Sequence, residues 1–179
     1  MKQIFFSLFT LTMLLTACDS KKETTSTTDA SRDTSTLAYP YTANYTTEFT
    51  NEVSDADLLL VLNSYKYWET GDMAALRATM GDSMSVNGAD GFQFNGRSDS
   101  LMKVWKAHRD SMSSVVITMD VWLKNHALKD SADFINVWYK EVDTYKSGKV
   151  DSAYYSDVNA LKNGKIVWFS SYRQNLKKE

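Results

Sequence analysis

The stretch VVITMDVWLK, residues 115–124, decides the fold class because its apolar residues recur with a period of two. One face of the predicted strand is wholly apolar and comprises Val115, Ile117, Met119, Val121 and Leu123. A strand with one continuous apolar face packs that face against a core. The chain before this stretch has helical spacing and the chain after it has strand spacing, so the sequence predicts an α+β domain.

Three helices are predicted upstream of this strand. Ser54, with Asp57 three residues later, is typical of a capped helix start and predicts a helix over 55–69, which Thr70-Gly71-Asp72 ends. A second, short helix with apolar residues at one face is predicted within 73–80. After a short strand around 84–86, Ser98 is the predicted N-cap of the third helix.

Three further strands are predicted downstream, at about 133–144, 150–161 and 165–175. Ser147-Gly148 separates the first two, and Asn163-Gly164 separates the last two. Asn-Gly between alternating apolar residues is a strong signal for a two-residue hairpin turn. Together with the strand at 115–124 these segments predict a long antiparallel meander.

The order of elements resembles the nuclear transport factor 2-like (SnoaL-like) superfamily. Three segments carry the resemblance, which extends over roughly 53–175: YKYWETGDMAALRATMGDSMSV (65–86), FNGRSDSLMKVW (94–105) and NGKIVWFSSYR (163–173). The resemblance implies a cone-shaped fold, in which a strongly bent antiparallel sheet wraps around about three N-terminal helices. It also implies a pocket between the sheet and the helices.

The two hairpin turns set a register if each is taken as a two-residue turn. Glu141 then faces Tyr154, which faces Arg173, and one sheet face runs from an apolar end to a polar mouth. The predicted pocket comprises Tyr65, Trp68, Trp105, Tyr139, Glu141, Tyr154, Ser156, Ser171 and Arg173. If the first turn holds three residues, the rows shift by one.

Glu141 has three interpretations on this register. A guanidinium two strands away favours the ionised carboxylate and lowers its pKa, which suits an ion pair with Arg173. A ligand contact and a catalytic base remain as alternatives, and a base needs a pKa closer to neutrality. For Trp68 and Trp105 the sequence favours core packing over stacking on a ligand.

The opposite sheet face is predicted to be convex and to mix aromatic with polar residues. It comprises Trp138, Lys140, Tyr155, Asp157, Asn159, Trp168, Ser170 and Tyr172. An aromatic surface of this size suggests a homodimer formed through that face.

Other candidate groups point away from metal or nucleophilic chemistry. Asp120 falls opposite the apolar face, which favours a solvated or interface role. His108 and Arg109 lie near the end of the third helix, where they would offset its dipole rather than bind metal. The sequence shows no Ser-His-Asp or phosphate-loop pattern, so we expect no cofactor, and a net charge of −2 argues against nucleic acid as a partner.

The N-terminus has the pattern of a bacterial lipoprotein. Residues 1–17 form a predicted signal peptide, and Leu15-Thr16-Ala17-Cys18 resembles a lipobox whose Cys18 would carry lipid. Residues 18–36 are the acylated Cys and a polar tether, which we expect to be disordered. The folded domain is predicted over 37–179, with an extended arm at 37–50, and the protein is expected in the cell envelope, at the outer membrane or facing the periplasm or cell surface.

Two functions fit these features. The favoured one is a membrane-anchored domain that binds a small apolar or amphipathic molecule, or scaffolds a partner, without catalysis. The alternative is an isomerase, cyclase or hydratase in which Tyr139, Tyr154 or Glu141 supplies acid–base groups. The missing catalytic set favours binding.

Overall fold

The computed structural model describes residues 39–176, so the predictions for the signal peptide, Cys18 and the tether lie outside the described residues. Three helices and seven strands follow one another: β1 Phe49–Thr50, α1 Asp55–Thr70, α2 Met73–Thr79, β2 Met80–Asn87, β3 Gln93–Arg97, α3 Ser98–Asp110, β4 Met112–Ala127, β5 Ala132–Tyr145, β6 Val150–Lys162 and β7 Lys165–Asn175. The predicted α+β class with three helices before a long meander is confirmed.

The seven strands form one sheet in the order β1-β4-β5-β6-β7-β2-β3. The meander from β4 to β7 is antiparallel, as predicted, but β2 pairs with β7 in parallel. The sheet is therefore mixed. A parallel neighbour requires a long crossover connection, which here is supplied by β3, α3 and the meander.

Helix α1 begins and ends as the sequence predicts. The Ser54 side chain accepts a hydrogen bond from the Asp57 amide at its start. At its end Gly71 adopts a left-handed conformation, with φ of 77°, and its amide donates to Trp68. The predicted Ser98 cap of α3 is wrong: Ser98 lies inside the first turn, and its hydroxyl donates to the Gly81 carbonyl at 2.5 Å.

The alternation predicted for residues 115–124 breaks at Asp120. Met119 pairs with Tyr139 and Val121 with Trp138, so Asp120 is a bulged residue without a partner in the ladder. A bulge shifts every later side chain to the other face. Lys124 consequently points toward α1, where it bonds Asp55 at 3.0 Å, while Val121 and Leu123 are exposed.

The two hairpin turns set a different register from the predicted one. Lys162 pairs with Lys165 across Asn163-Gly164, as expected for a two-residue turn. The first loop holds three residues, because the Tyr145 amide donates to the Lys149 carbonyl and Gly148 is left-handed. The pairing of β6 with β7 then shifts by one residue. Leu161 pairs with Ile166 and Ala160 with Trp168, so Val167 between them has no partner in the ladder.

The core lies between the helices and the inner sheet face. Its buried side chains include Val61, Leu76, Met84, Val86, Leu101, Ile135 and Val137. In the arm, Tyr45 packs edge-on against Phe134 and bonds Asp130, and β1 pairs with the end of β4. Among the described residues no helix is long and apolar enough to cross a membrane.

Candidate functional site

A cavity of about 500 Å³ opens between α1, α3 and the inner face of the sheet. Its apolar part is lined by Leu76, Met80, Met84, Val86, Ile166 and Phe169. Its polar wall comes from β5, β6 and β7. The combination of an apolar floor with a few convergent polar groups is typical of small-molecule sites, and the volume lies in their usual range.

Seven of the nine predicted pocket residues line this cavity: Tyr65, Trp68, Trp105, Tyr139, Glu141, Ser171 and Arg173. The other two, Tyr154 and Ser156, belong to the opposite sheet face, so their placement was wrong. The three-residue first loop shifts β6 by one position against β5. A shift of one residue turns every side chain of a strand to the other face.

The same shift brings three residues inward that were predicted on the convex face. Tyr155, Asp157 and Asn159 face the helices, in rows with Tyr139, Val137 and Ile135. Asp157 is fully buried and Asn159 nearly so. Gly148 occupies the third loop position, where three-residue hairpin loops commonly carry glycine, but the pair Ser147-Gly148 also fits a two-residue turn.

Asp157 is the centre of a buried hydrogen-bond cluster beneath the cavity. The hydroxyls of Tyr65 and Tyr139 donate to its Oδ2 at 3.0 and 2.9 Å, and the Ser171 hydroxyl donates to its Oδ1 at 2.6 Å. Asn159 in turn donates from Nδ2 to the Tyr65 hydroxyl at 3.0 Å. The cluster therefore joins α1, β5, β6 and β7 through side chains.

Burial is the largest cause of the pKa shifts of Asp157, Tyr65 and Tyr139 in this cluster. Desolvation raises the pKa of Asp157 to about 6, and the hydrogen bonds from Ser171, Tyr139 and Tyr65 offset part of that rise. Burial and the neighbouring carboxylate raise the phenol pKa values of Tyr65 and Tyr139 well above the ordinary value. Both phenols are consequently fixed as hydrogen-bond donors.

Besides Asp157, two further carboxyl residues are buried near the cavity. Glu141 and Asp143 form a pair on β5, two residues apart on the same face. Both are 8% exposed and both line the cavity. Burial raises the pKa of Glu141 above its ordinary range, and the charge of Asp143 raises it further. Burial also raises the pKa of Asp143. Two buried carboxyl groups this close favour holding at least one proton between them.

The predicted ion pair between Glu141 and Arg173 is wrong. Arg173 lies in the row of Tyr139 and Tyr155, one row deeper than Glu141. Its Nη2 bonds Asp151 at 2.8 Å and its Nε donates to the Tyr155 hydroxyl at 3.1 Å. The Glu141 pKa therefore moves up rather than down.

Aromatic side chains from the helices form the wall opposite the sheet. Trp68 packs edge-on against Trp105 and stacks on His108, and His108 meets Tyr145 edge-on. Both tryptophans pack against the core and also line the cavity. Arg109 points away to donate from Nε and Nη2 to the Trp68 and Glu69 carbonyls, each at 2.9 Å, at the end of α1.

Asp120 is exposed, and the described residues contain no group of His, Cys, Asp and Glu that could hold a metal ion. The polar groups that line the cavity include carboxyl groups, phenols, one imidazole and the guanidinium of Arg173. Glu141 and Asp143 can exchange protons with a bound molecule, while Tyr65 and Tyr139 are committed to Asp157.

Solved structures with the same fold come from several bacteria. A nuclear transport factor 2-like protein of unknown function from Burkholderia pseudomallei matches with a TM-score of 0.55 at 16% identity, over 68% of this chain and 92% of that one. One from Burkholderia thailandensis matches with a TM-score of 0.52 at 20% identity, over 66% and 90%. An epoxide hydrolase from Mycobacterium tuberculosis matches with a TM-score of 0.55 at 9% identity, over 66% and 83%.

No family model matches the sequence, and no curated protein matches it. At these identities the structural matches show a shared fold alone. Solved proteins with this fold include both an enzyme and proteins of unknown function.

Proposed function

Because this chain has the nuclear transport factor 2-like fold around an open cavity, we propose that it binds a small amphipathic molecule. The observation that carries the proposal is the cavity of about 500 Å³ with an apolar floor and a polar wall. Trp68 and Trp105 line the space without filling it. A cavity filled by those indoles would have argued for a purely structural core.

The first test is whether a ligand remains bound to the chain through purification. Native mass spectrometry of the purified chain should show an added mass that disappears after denaturation. The variant Ala89→Trp places a large ring at an exposed position of the cavity lining, and should abolish that mass. Ala56→Trp, at an exposed position at the start of α1, is the matched control. Retention of the mass in Ala89→Trp would contradict binding in this cavity.

A second candidate function is acid–base catalysis, and the raised pKa of Glu141 favours it. A carboxyl group that titrates nearer to neutrality than usual is suited to donate or accept a proton. Glu141 would be the acid–base group, with its pKa raised by burial first and by the neighbouring Asp143 second. Tyr154, which lies outside the cavity, no longer belongs to this hypothesis.

Catalysis is tested by screening small epoxides and enones, such as styrene oxide and cyclohexenone, for hydration or isomerisation. Any turnover should fall at least 100-fold in Glu141→Gln. Tyr154→Phe, on the other face of the sheet, should leave it unchanged. Equal turnover in Glu141→Gln and the wild type would exclude Glu141 as the acid–base group.

We also propose that lipid on Cys18 holds the domain at the membrane surface, as the sequence predicts. Several acyl chains, each methylene contributing about 0.8 kcal/mol, anchor a protein stably. The chain should fractionate with membranes of the cell envelope, and Cys18→Ser should release it. Unchanged fractionation of that variant would contradict the anchor.

The outer sheet face remains a proposed homodimer surface, now without Tyr155, Asp157 and Asn159. Tyr172 and Tyr154 are exposed on it, by 66% and 41%. Light scattering of the purified chain should give twice the mass of the monomer. The variant Tyr172→Glu should give the mass of a single monomer. A monomeric wild type at micromolar concentration would exclude the dimer.

A further inference from the structure

The geometry points to an organic cation as the class of molecule that the cavity takes: an ammonium group beside Asp143 and Glu141, on an apolar body that lies over the cavity floor. This inference rests on the proposed binding function and restricts the expected ligands to positively charged molecules. Three independent features of the cavity carry it.

The first feature is an unused hydrogen-bond acceptor. Asp143 lines the cavity and is 8% exposed. Its side-chain Oδ1, which solvent does not reach, has no hydrogen-bond partner among residues 39–176. A buried polar atom without a partner costs about 1–3 kcal/mol, and more when it is charged. A donor on a bound molecule that hydrogen-bonds the carboxyl group offsets part of that cost. A protonated amine supplies three such donors together with the opposite charge.

The second feature is the charge of the lining. Four carboxyl residues, Asp90, Glu141, Asp143 and Asp151, face the cavity with one arginine and one histidine. Burial raises the pKa of Glu141 to about 8, so near neutrality the negative charge of the lining comes from the three aspartates. The arginine, Arg173, is already paired with Asp151.

His108 and Arg109 on α3 lie near Asp143, yet neither bonds it. Burial raises the pKa of Asp143, and a hydrogen bond with Glu141 and the nearby His108 and Arg109 lower it. The Arg109 guanidinium, however, donates to the carbonyls at the end of α1. In the described part of the chain no Lys, Arg or His nitrogen lies within 4.0 Å of a carboxyl oxygen of Glu141 or Asp143. The place of the counter-ion is therefore open to a ligand.

The third feature is the aromatic surround. Trp68 and Tyr145 both contact His108, at ring-centroid distances of 6.2 and 6.3 Å, and all three rings line the cavity. Tyr155 lies on the sheet side, stacked on Tyr139 at 5.3 Å. Aromatic faces attract cations through the ring quadrupole. Two of these rings already have a cation of the chain over them, Lys149 at 5.4 Å from the Tyr145 centroid and Arg173 at 5.9 Å from that of Tyr155, so the surround has the electrostatic character that favours a positive group.

A matched series of probes tests the charge class directly. 4-Phenylbutylamine, 4-phenylbutanol and 4-phenylbutyrate share one skeleton and differ in the charge of the end group. Titrated calorimetrically into the full chain at pH 7.5, the amine should bind at least tenfold more tightly than the alcohol. The carboxylate should bind most weakly. Asp143→Asn should remove the advantage of the amine over the alcohol. Asp120→Asn, the same substitution at an exposed bulge, should leave that advantage unchanged.

The outcomes separate this inference from the function on which it rests. Equal affinities for amine and alcohol in the wild type would overturn the cation preference while leaving cavity binding intact. An advantage of the amine that persists in a Glu141→Gln, Asp143→Asn double variant would also overturn it. If none of the three compounds binds at millimolar concentration, the proposed binding function fails together with the inference.

Discussion

The Tyr65 hydroxyl on helix α1 donates a 3.0 Å hydrogen bond to the carboxylate of Asp157 on strand β6, 92 residues later in the sequence. Both groups are buried. The bond fixes the helix over the sheet at the base of the cavity, and it satisfies an acceptor that water cannot reach. Folding and the shape of the candidate site thus depend on the same contact.

Removing the Tyr65 hydroxyl should destabilise the protein measurably. Tyr65→Phe deprives Asp157 of one donor and Asn159 of an acceptor, so we expect the free energy of unfolding to fall by about 1–3 kcal/mol. Urea denaturation measures the change. Tyr154→Phe, an exposed position on the other sheet face, should stay within about 0.5 kcal/mol of the wild type. Equal effects of the two substitutions would contradict the importance of the buried cluster.

Asp157 should make stability decrease as pH rises through the acidic range. Its pKa is raised from 3.8 to about 6, so between these values the folded state binds more protons than the unfolded state. The resulting contribution to stability is complete below 3.8 and is lost as pH rises through 6. Two pKa units correspond to about 3 kcal/mol.

The variant Asp157→Asn should remove that pH dependence, because an amide does not titrate in this range. It can still accept from both phenols while its Nδ2 donates to Ser171, so the fold should survive. Urea denaturation of both proteins between pH 4 and 7 measures the difference. A variant whose stability falls with pH as steeply as that of the wild type would show that other groups are responsible.

Local signals in the sequence were sufficient for the elements but not for the faces of the strands. Ser54, Gly71 and Asn163-Gly164 act within a few residues, so the helix start, the helix end and the second turn could be predicted. The face of β6 depends on whether the preceding loop holds two or three residues, which the letters Ser147-Gly148 leave open. That one-residue difference turned Asp157 inward and Tyr154 outward.

In the candidate site, too, the features that depend on local sequence were predicted and those that depend on strand register were not. Trp68, Trp105 and Glu141 were assigned to the cavity because their elements had clear periodicity. Arg173 was assigned to the wrong partner because the bulge at Val167 adds a second shift that no residue type announces. Arg173 lies one row away from Glu141, so burial and the charge of Asp143 determine the direction of the Glu141 pKa shift, which is upward.

Neutralising Glu141 should stabilise the protein more at alkaline than at acidic pH. Burial raises the pKa of Glu141, so ionising it in the folded state becomes unfavourable as pH increases. We expect the stability of Glu141→Gln relative to the wild type to increase between pH 5 and pH 9. The matched control Glu48→Gln, at an exposed position of the arm, should show no such trend. Parallel stability profiles for Glu141→Gln and the wild type would contradict the raised pKa.

Arg109 should contribute to stability through helix α1 rather than through its own helix. Arg109→Ala removes two charge-assisted hydrogen bonds to the Trp68 and Glu69 carbonyls, and we expect a loss of about 1–2 kcal/mol in partly exposed surroundings. Hydrogen exchange should accelerate at the end of α1. Arg97→Ala, whose side chain is 80% exposed, should leave exchange there unchanged. Unaltered exchange in Arg109→Ala would contradict this role.

Gly148 should limit the stability of the loop that orients β6. Its φ is 84°, a left-handed conformation, and an added Cβ would meet no atom within 4 Å. The cost of Gly148→Ala is therefore conformational, and we expect about 1 kcal/mol in urea denaturation. Gly148→Asn should cost less, because asparagine tolerates this conformation better, and Gly148→Val should cost more. If all three variants lost the same stability, the constraint would have to be a contact rather than the backbone conformation.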